Sequence, residues 1–313
     1  MFEIIRYTAD KAAEWNQFVA QSKNGTFLFD RSYMDYHSDR FDDYSLMVYH
    51  KGQLFALLPA NRRGDTLYSH QGLTYGGLLM NRHCTTALVR DLFSQLNAFL
   101  RDRHFSRVVY KPVPWIYASL PSEEDLYALC NVCHASIVSR DVASVLMLNH
   151  RLSYSTLRRR CIKKAAKAQI EVRESADWQA FWLLLEQRLM QHHDARPVHT
   201  LSEIQLLHNR FPDAVRLFAA YHEGHMVGGT VLYFTPQTVK TQYIAADDEG
   251  LSVGALDGLF DHLITQFAEE GYAFFDFGTS NMPGSDALHD SLIFQKEGFG
   301  GRAVCYDTYE WTL

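Results

Sequence analysis

The frame "YHEGHMVGGTVLYF" at residues 221–234 occurs in a second form, "YHKGQLFALLPANR", at residues 49–62. In each, an apolar run ends in Tyr-His, a charged residue and a glycine make the turn, and another apolar run follows. A glycine turn between apolar runs is the ordinary signature of a β-hairpin, so one copy constrains little. Two copies require their surroundings to be compared. The first is followed by a polar turn (Arg63-Gly64-Asp65), an expected strand "LYSHQGLTYGGLLM", an expected helix "TTALVRDLFSQLNAFLRDR" and a strand "RVVYKPVP". The second is followed in the same order by "TVKTQYIAADDEG", the helical "GALDGLFDHLITQFAEEG" and the strand "AFFDFGTSN". Tyr49 aligns with Tyr221, and Leu92-Phe93 with Leu259-Phe260, after one change of offset that a loop absorbs. The pattern predicts an internal duplication into two α/β (α+β) units, residues 1–150 and 151–313, each a mixed, mostly antiparallel sheet flanked by helices.

Composition narrows the partners. A chain of 313 residues with 47% hydrophobic and 21% charged residues is globular and long enough for two cores. Its formal net charge of −6 gives no general attraction to DNA or to an anionic membrane. The N-terminal "MFEIIRYTADKAAEW" has no basic segment leading into an apolar one, and no run approaches the ~20 apolar residues that cross a bilayer. Five cysteines without framework spacing are expected to be reduced thiols, and a cytoplasmic protein is expected. "CNVCH" at residues 130–134 has the form of a haem attachment site by chance, since such attachment needs an oxidising compartment. One local basic cluster stands out in "LRRRCIKKAAKAQIEV", residues 157–172. On a helix, Arg159, Lys163 and Lys167 share one stripe and Arg160 and Lys164 the next, which suits either a solvated face or a phosphate-rich ligand.

The order of strand, turn, strand, long strand, glycine-bearing loop, helix and strand resembles the core of the GNAT acyltransferases. Its duplication resembles the tandem-GNAT, FemAB-like group, through "NGTFLFDRSYMDYHSDRF", "SHQGLTYGGL", "RPVHTLSEI", "QYIAADDEG", "FFDFGTSN" and "FQKEGFGGR". The resemblance implies transfer of an acyl or aminoacyl group to an amine by direct attack, with no covalent enzyme intermediate. It also implies an acyl-CoA or acyl-carrier donor held along a strand at Ile244, Ala245 and Ala246, with its phosphates at a loop of Ser252, Val253, Gly254 and Ala255. Helix N-termini suit such anions because their unpaired N–H groups point outward. The pattern departs from the family here. Coenzyme A enzymes carry Arg or Gln, two residues, Gly, one residue, then Gly or Ala, whereas alignment on Gly254 puts Glu249 at the basic position and Ser252 at the first glycine. FemAB-like enzymes instead take an aminoacyl group from tRNA, an alternative weakened by the net acidity and by the lack of a heptad arm. A non-catalytic binding module is the third reading.

An amine must reach the carbonyl unprotonated, so the site needs a proton acceptor and donors for the oxyanion. Asp276, between aromatic residues in "FFDFGTSN", is the expected base, or else a structural Asp binding the following turn. Tyr243 on the donor strand is the expected acid for a leaving thiolate, or a core tyrosine. His70, Thr74 and Tyr75 of the first unit, and Arg196, His199, Ser280, Asn281 and Lys296 of the second, are expected to meet a small polar amine acceptor such as an amino sugar or cell-envelope precursor. "HHDARPVHT" offers His192, His193, Asp194 and His199, but at no standard metal-ligand spacing, so no metal is expected.

Overall fold

The computed structural model describes residues 1–193, 196–282, 285 and 287–313, with the backbone alone described at His192 and His193. Of the four residues weighed as metal ligands in "HHDARPVHT", only the side chain of His199 is among the described residues. The chain divides into two compact units, Met1–Asp141 with Cys305–Leu313, and Val142–Val304. Where the sequence pattern places the division near residue 150, it falls at 141/142, and the last nine residues belong to the first unit.

The first unit contains β1 (Phe2–Arg6), α1 (Ala12–Gln21), α2 (Arg31–Met34), β2 (Asp42–Asp43), β3 (Leu46–His50), β4 (Gln53–Leu58), β5 (Asn61–Arg63), β6 (Thr66–Tyr68), β7 (Leu79–Met80), α3 (Thr86–Arg101), β8 (Arg107–Tyr110) and α4 (Glu124–Asn131). β9 (Ser136–Met147) carries the chain into the second unit. There follow α5 (Thr156–Lys167), β10 (Glu171–Glu174), α6 (Trp178–His193), α7 (Leu201–Arg210), β11 (Val215–His222), β12 (His225–Phe234), β13 (Thr238–Ala246), α8 (Asp248–Val253), α9 (Ala255–Glu269), β14 (Phe274–Thr279) and α10 (Asp290–Glu297). β15 (Arg302–Thr312) returns to the first.

The repeated hairpin is present twice, with the same local geometry. Lys51-Gly52 turns at φ 52° and 77°, and Glu223-Gly224 at φ 48° and 85°, the doubly left-handed turn that matches strand twist. Both hairpins also carry a bulge at the same place after the turn, where Phe55 of β4 is surplus against Val48-Tyr49 and Val227 of β12 is surplus against Ala220-Tyr221. Behind each hairpin lies an amphipathic helix. Leu92 and Phe93 of α3 and Leu259 and Phe260 of α9 are all buried, each in its own unit's core. The strand expected over "LYSHQGLTYGGLLM" is only Thr66–Tyr68 and Leu79–Met80. Close approach explains this, because a side chain at Gly76 would meet the Ser69 carbonyl, so the chain between must leave the sheet.

The second unit's sheet runs β10-β11-β12-β13-β14-β9, with β13 and β14 parallel and the remaining neighbours antiparallel. α9 packs its apolar stripe, Leu256, Phe260, Leu263 and Phe267, against Phe218, Phe234, Phe275 and Phe277. α6 covers β12 and β13. Among the described residues no helix is long and apolar enough to cross a membrane.

Candidate active site

β13 and β14 pair through Thr238–Phe274, Val239–Phe275 and Lys240–Asp276. Beyond that level β13 runs on to Ala246 and β14 to Thr279 without further pairing to each other among the described residues. The cause is local on both strands. Gln242 is an extra residue in β13, where the register against β12 jumps from Val231–Tyr243 to Leu232–Thr241. β14 shifts register against β9 between Asp276 and Thr279, where Gly278 has φ 71°. A bulge bends its own strand, so two at the same level part the neighbours.

A cavity of about 920 Å³ occupies the second unit at this opening. Its apolar wall includes Ile244 and Ala246 from β13, Leu251 from α8, Leu256 and Phe260 from α9, and Phe277 and Phe299. Arg188 of α6, Asn281, and His289, Ser291, Gln295 and Lys296 around α10 supply its polar groups. Of the residues singled out from the sequence, Ile244, Ala245, Ala246, Asn281 and Lys296 line this one cavity. His289, Ser291 and Gln295 were not singled out from the sequence. They cap or lie on α10, and the available signal was the helical spacing of Ser291 with Gln295 and of Leu292 with Lys296.

Lys296 is 5% exposed, and its ammonium donates to Gly278 O (2.9 Å), Thr279 O (2.7 Å) and Ser280 Oγ (2.9 Å). Burial pulls its pKa down to about 8, opposed by the nearby Asp276 carboxylate and helped by Lys240. Lys240, also buried, is held below the ordinary lysine range by desolvation, with Asp276 again opposing. Asp276 itself is 0% exposed and accepts from Gly278 N at 2.7 Å. It sits behind the cavity wall, between two lysines, rather than among the lining groups. Ser280 is also fully buried; its Oγ accepts from Lys296 and its carbonyl from His289 N at 2.8 Å, both of them cavity residues.

Tyr243 points to the α6 side, its ring edge-on to Trp182 and its hydroxyl 2.6 Å from His199 Nδ1 and accepting from His199 N at 3.2 Å. Burial pushes the phenol up to about 12. Its neighbour Ile244 lines the cavity, as strand alternation requires. Arg196 is exposed, outside the cavity lining.

Residues 250–255 do not form the expected open loop. They are the end of the six-residue α8, a left-handed Gly254 (φ 79°) and the start of α9. Asp247 already caps α8, accepting from Gly250 N at 2.7 Å. The first turn of α9, Ala255, Leu256 and Asp257, is buried. α5 closes over it: a side chain at Gly254 would meet Cys161 O, and Arg158 pairs with Asp257 at 2.6 Å. Ser252, Val253, Gly254 and Ala255 are accordingly absent from the cavity lining, and Glu249 is taken by His222 (2.6 Å) and His225 (3.1 Å). The residues present do not fit a diphosphate at this position.

In the first unit, His70 and Tyr75 are buried and Thr74 is exposed. Tyr75 stacks near Phe29 and Tyr117 and donates to Thr26 Oγ1 at 3.4 Å. His70 accepts from Gly72 N at 3.2 Å, and burial lowers its pKa to about 4. Among the described residues no cluster of His, Cys, Asp or Glu is arranged to hold a metal.

The profile of the acetyltransferase (GNAT) domain matches residues 153–284, which hold both splayed strands and α9. No curated protein sequence matches the chain. Among solved structures, FemX superposes with a TM-score of 0.70 at 13% identity, over 99% of this chain and 97% of that one. The C-terminal domain of a putative lysylphosphatidylglycerol synthetase from Agrobacterium fabrum gives 0.61 at 12% identity, over 96% and 91%. A tandem GNAT protein from the clavulanic acid biosynthesis pathway gives 0.51 at 13%, over 100% and 98%. At such identities these likenesses speak for the fold alone: the chain has a tandem GNAT fold, and residues 153–284 within it match the acetyltransferase (GNAT) domain.

Proposed function

We propose that the second unit moves an acyl group from a thioester to the amine of a small polar acceptor, in the cavity between the parted ends of β13 and β14. The observation that carries this reading is a mostly apolar 920 Å³ cavity with Lys296 in its wall, the buried ammonium held against Gly278, Thr279 and Ser280 of the parted strand end. Apolar walls suit an acyl chain and a pantetheine-type arm, and the parted strands leave backbone groups for the arm's amides. The amine nitrogen attacks the thioester carbonyl. A C–N bond forms, the C–S bond breaks, the amine loses a proton and the leaving thiolate gains one. Lys296 supplies positive charge where the carbonyl oxygen becomes an oxyanion, in a site where low dielectric magnifies it. Asp276 acts through Lys296 as a positioning residue, its buried charge keeping the ammonium protonated near neutral pH. Tyr243 faces α6 outside the cavity lining, where His199 holds its hydroxyl, so the thiolate takes up the proton that the amine releases rather than one from Tyr243. His289, Ser291 and Gln295 give the acceptor its polar contacts, which suits an amino sugar or cell-envelope precursor. The five free cysteines suit a reducing compartment, so we place the activity in the cytoplasm.

The test is a panel of acyl thioesters and amines assayed with wild type, Lys296→Met and Lys296→Arg. Turnover lost in Met and partly kept in Arg supports the assignment, and equal turnover in all three overturns it. A second reading, aminoacyl transfer from a charged tRNA, draws on the whole-chain likeness to FemX. Turnover of aminoacyl-tRNA with none of any acyl thioester would establish it, and inertness toward both would leave a binding module.

A further inference from the structure

We infer that the donor is carried by an acidic acyl-carrier protein that docks on the exposed face of α5, which rests on the thioester reading above. Three observations converge. First, a free nucleotide thioester has no seat at residues 250–255: Asp247 caps α8, the first turn of α9 is buried, and α5 lies over the junction. Second, the helix that closes this junction bears the densest positive charge in an otherwise acidic chain. Arg159, Arg160, Lys163, Lys164 and Lys167 are all exposed, and among the described residues none of them is joined to a carboxylate. Their inward counterparts anchor the helix: Ala165 is buried, and Arg158 pairs with Asp257. Third, this helix is one layer from the cavity. Ser155 N donates to Gly298 O at 2.8 Å, and the Arg158 guanidinium lies 5.6 Å from the Phe299 ring centre. Phe299, Leu251 and Leu256 are cavity wall.

A carrier protein solves the problem that the closed junction poses. Its phosphate stays outside at the docking surface while the uncharged arm and acyl chain enter. Twelve helical residues make a strip about 18 Å long, the span of one helix of a small domain. Charge matching of this kind sets on-rate and register, and it weakens with salt. An RNA backbone would also be drawn to α5, but the apolar cavity beside it fits an acyl chain better than a charged aminoacyl end.

The test uses the full chain and an acidic acyl-carrier protein bearing a decanoyl group in a non-transferable amide linkage. Binding is followed by fluorescence anisotropy for wild type, R159E/K163E/K167E and R160E/K164E. These side chains are exposed, and unchanged melting confirms that the variants fold. Each stripe reversal should weaken carrier binding by about tenfold or more, and raising salt should weaken wild type alone. Equal affinities in all three overturn the inference, as does tighter binding of an RNA hairpin, or of anionic vesicles, through the same residues. Turnover of decanoyl-carrier and decanoyl-CoA separates the two claims. Carrier binding through α5 without transfer sinks the acyl-transfer reading and leaves the docking face. Transfer from both donors that the reversals leave untouched sinks the docking face alone.

Discussion

At the scale of single residues, the protein places ionisable groups where water cannot support their charge. Lys296 ionises near 8 in the folded chain and near the ordinary lysine value when unfolded. The unfolded state therefore binds more protons between these values, and stability rises with pH through that window. We expect wild type to gain up to about 3 kcal/mol relative to Lys296→Met from pH 8 to 10.5, measured by urea unfolding. Transfer activity should fall on the same limb as Lys296 loses its proton. Asp276→Asn removes the opposing carboxylate, so the limb should move to lower pH and activity drop at least about tenfold, read from a pH–rate profile. His70 titrates near 4 when folded and near 6.5 when unfolded, so acidification through that interval loads protons onto the unfolded chain first. Acid should cost the first unit up to about 3 kcal/mol, and His70→Asn should flatten the dependence, as followed by fluorescence melting between pH 6.5 and 4. Aspartate in an apolar strand was visible in the sequence. Which lysines would face it was not, because Lys240 and Lys296 are brought to it by register and by a helix far along the chain.

Among the elements, the cavity follows from two bulges and one helix junction. The strand "QYIAA" and the aspartate strand were legible from alternation and aromatic content. Their separation was not, since it depends on Gln242 being surplus against β12 and on Gly278 taking a left-handed angle. Gly254 shows the same limit. Sequence pattern offered it as part of a phosphate loop, whereas packing of α5 makes it the hinge between α8 and α9. Its φ of 79° and the Cys161 carbonyl 2.8 Å from the place of a Cβ leave no room for a side chain. Gly254→Ala should lower stability by about 1–3 kcal/mol, measured by thermal unfolding. Gly224→Ala serves as the control. It has the same backbone angle class but open space around it, and should cost less.

For the molecule as a whole, the duplication is real in geometry as well as in sequence, yet the chain does not divide into consecutive halves. β15 returns its last residues to the first unit, where Tyr309–Thr312 pair with β8 and Trp311 is buried with its Nε1 donating to Asn97 Oδ1 at 3.1 Å. Trp311→Ala should therefore destabilise the first unit by about 3–5 kcal/mol, although the residue lies at the far end of the sequence from that unit's other strands. Unfolding monitored by tryptic cleavage within residues 1–141 checks this. Cleavage confined to residues 142–304 would count against it.

By itself the sequence determined what short-range physics can write: two hairpins with left-handed turns, the amphipathic stripes of α3 and α9, the aromatic strand around Asp276, and a net charge that discourages polyanions. Those features depend on residues a few positions apart, whose spacing and conformational preferences are local. Tertiary structure alone decided that Lys296 lies beside β14, that α5 shuts the end of α9, that Tyr75 is core, and that residues 305–313 complete the first unit. Each of these rests on contacts between segments distant in the chain. Their pairing is selected by the burial and hydrogen bonding of the complete fold, for which no single segment carries the information.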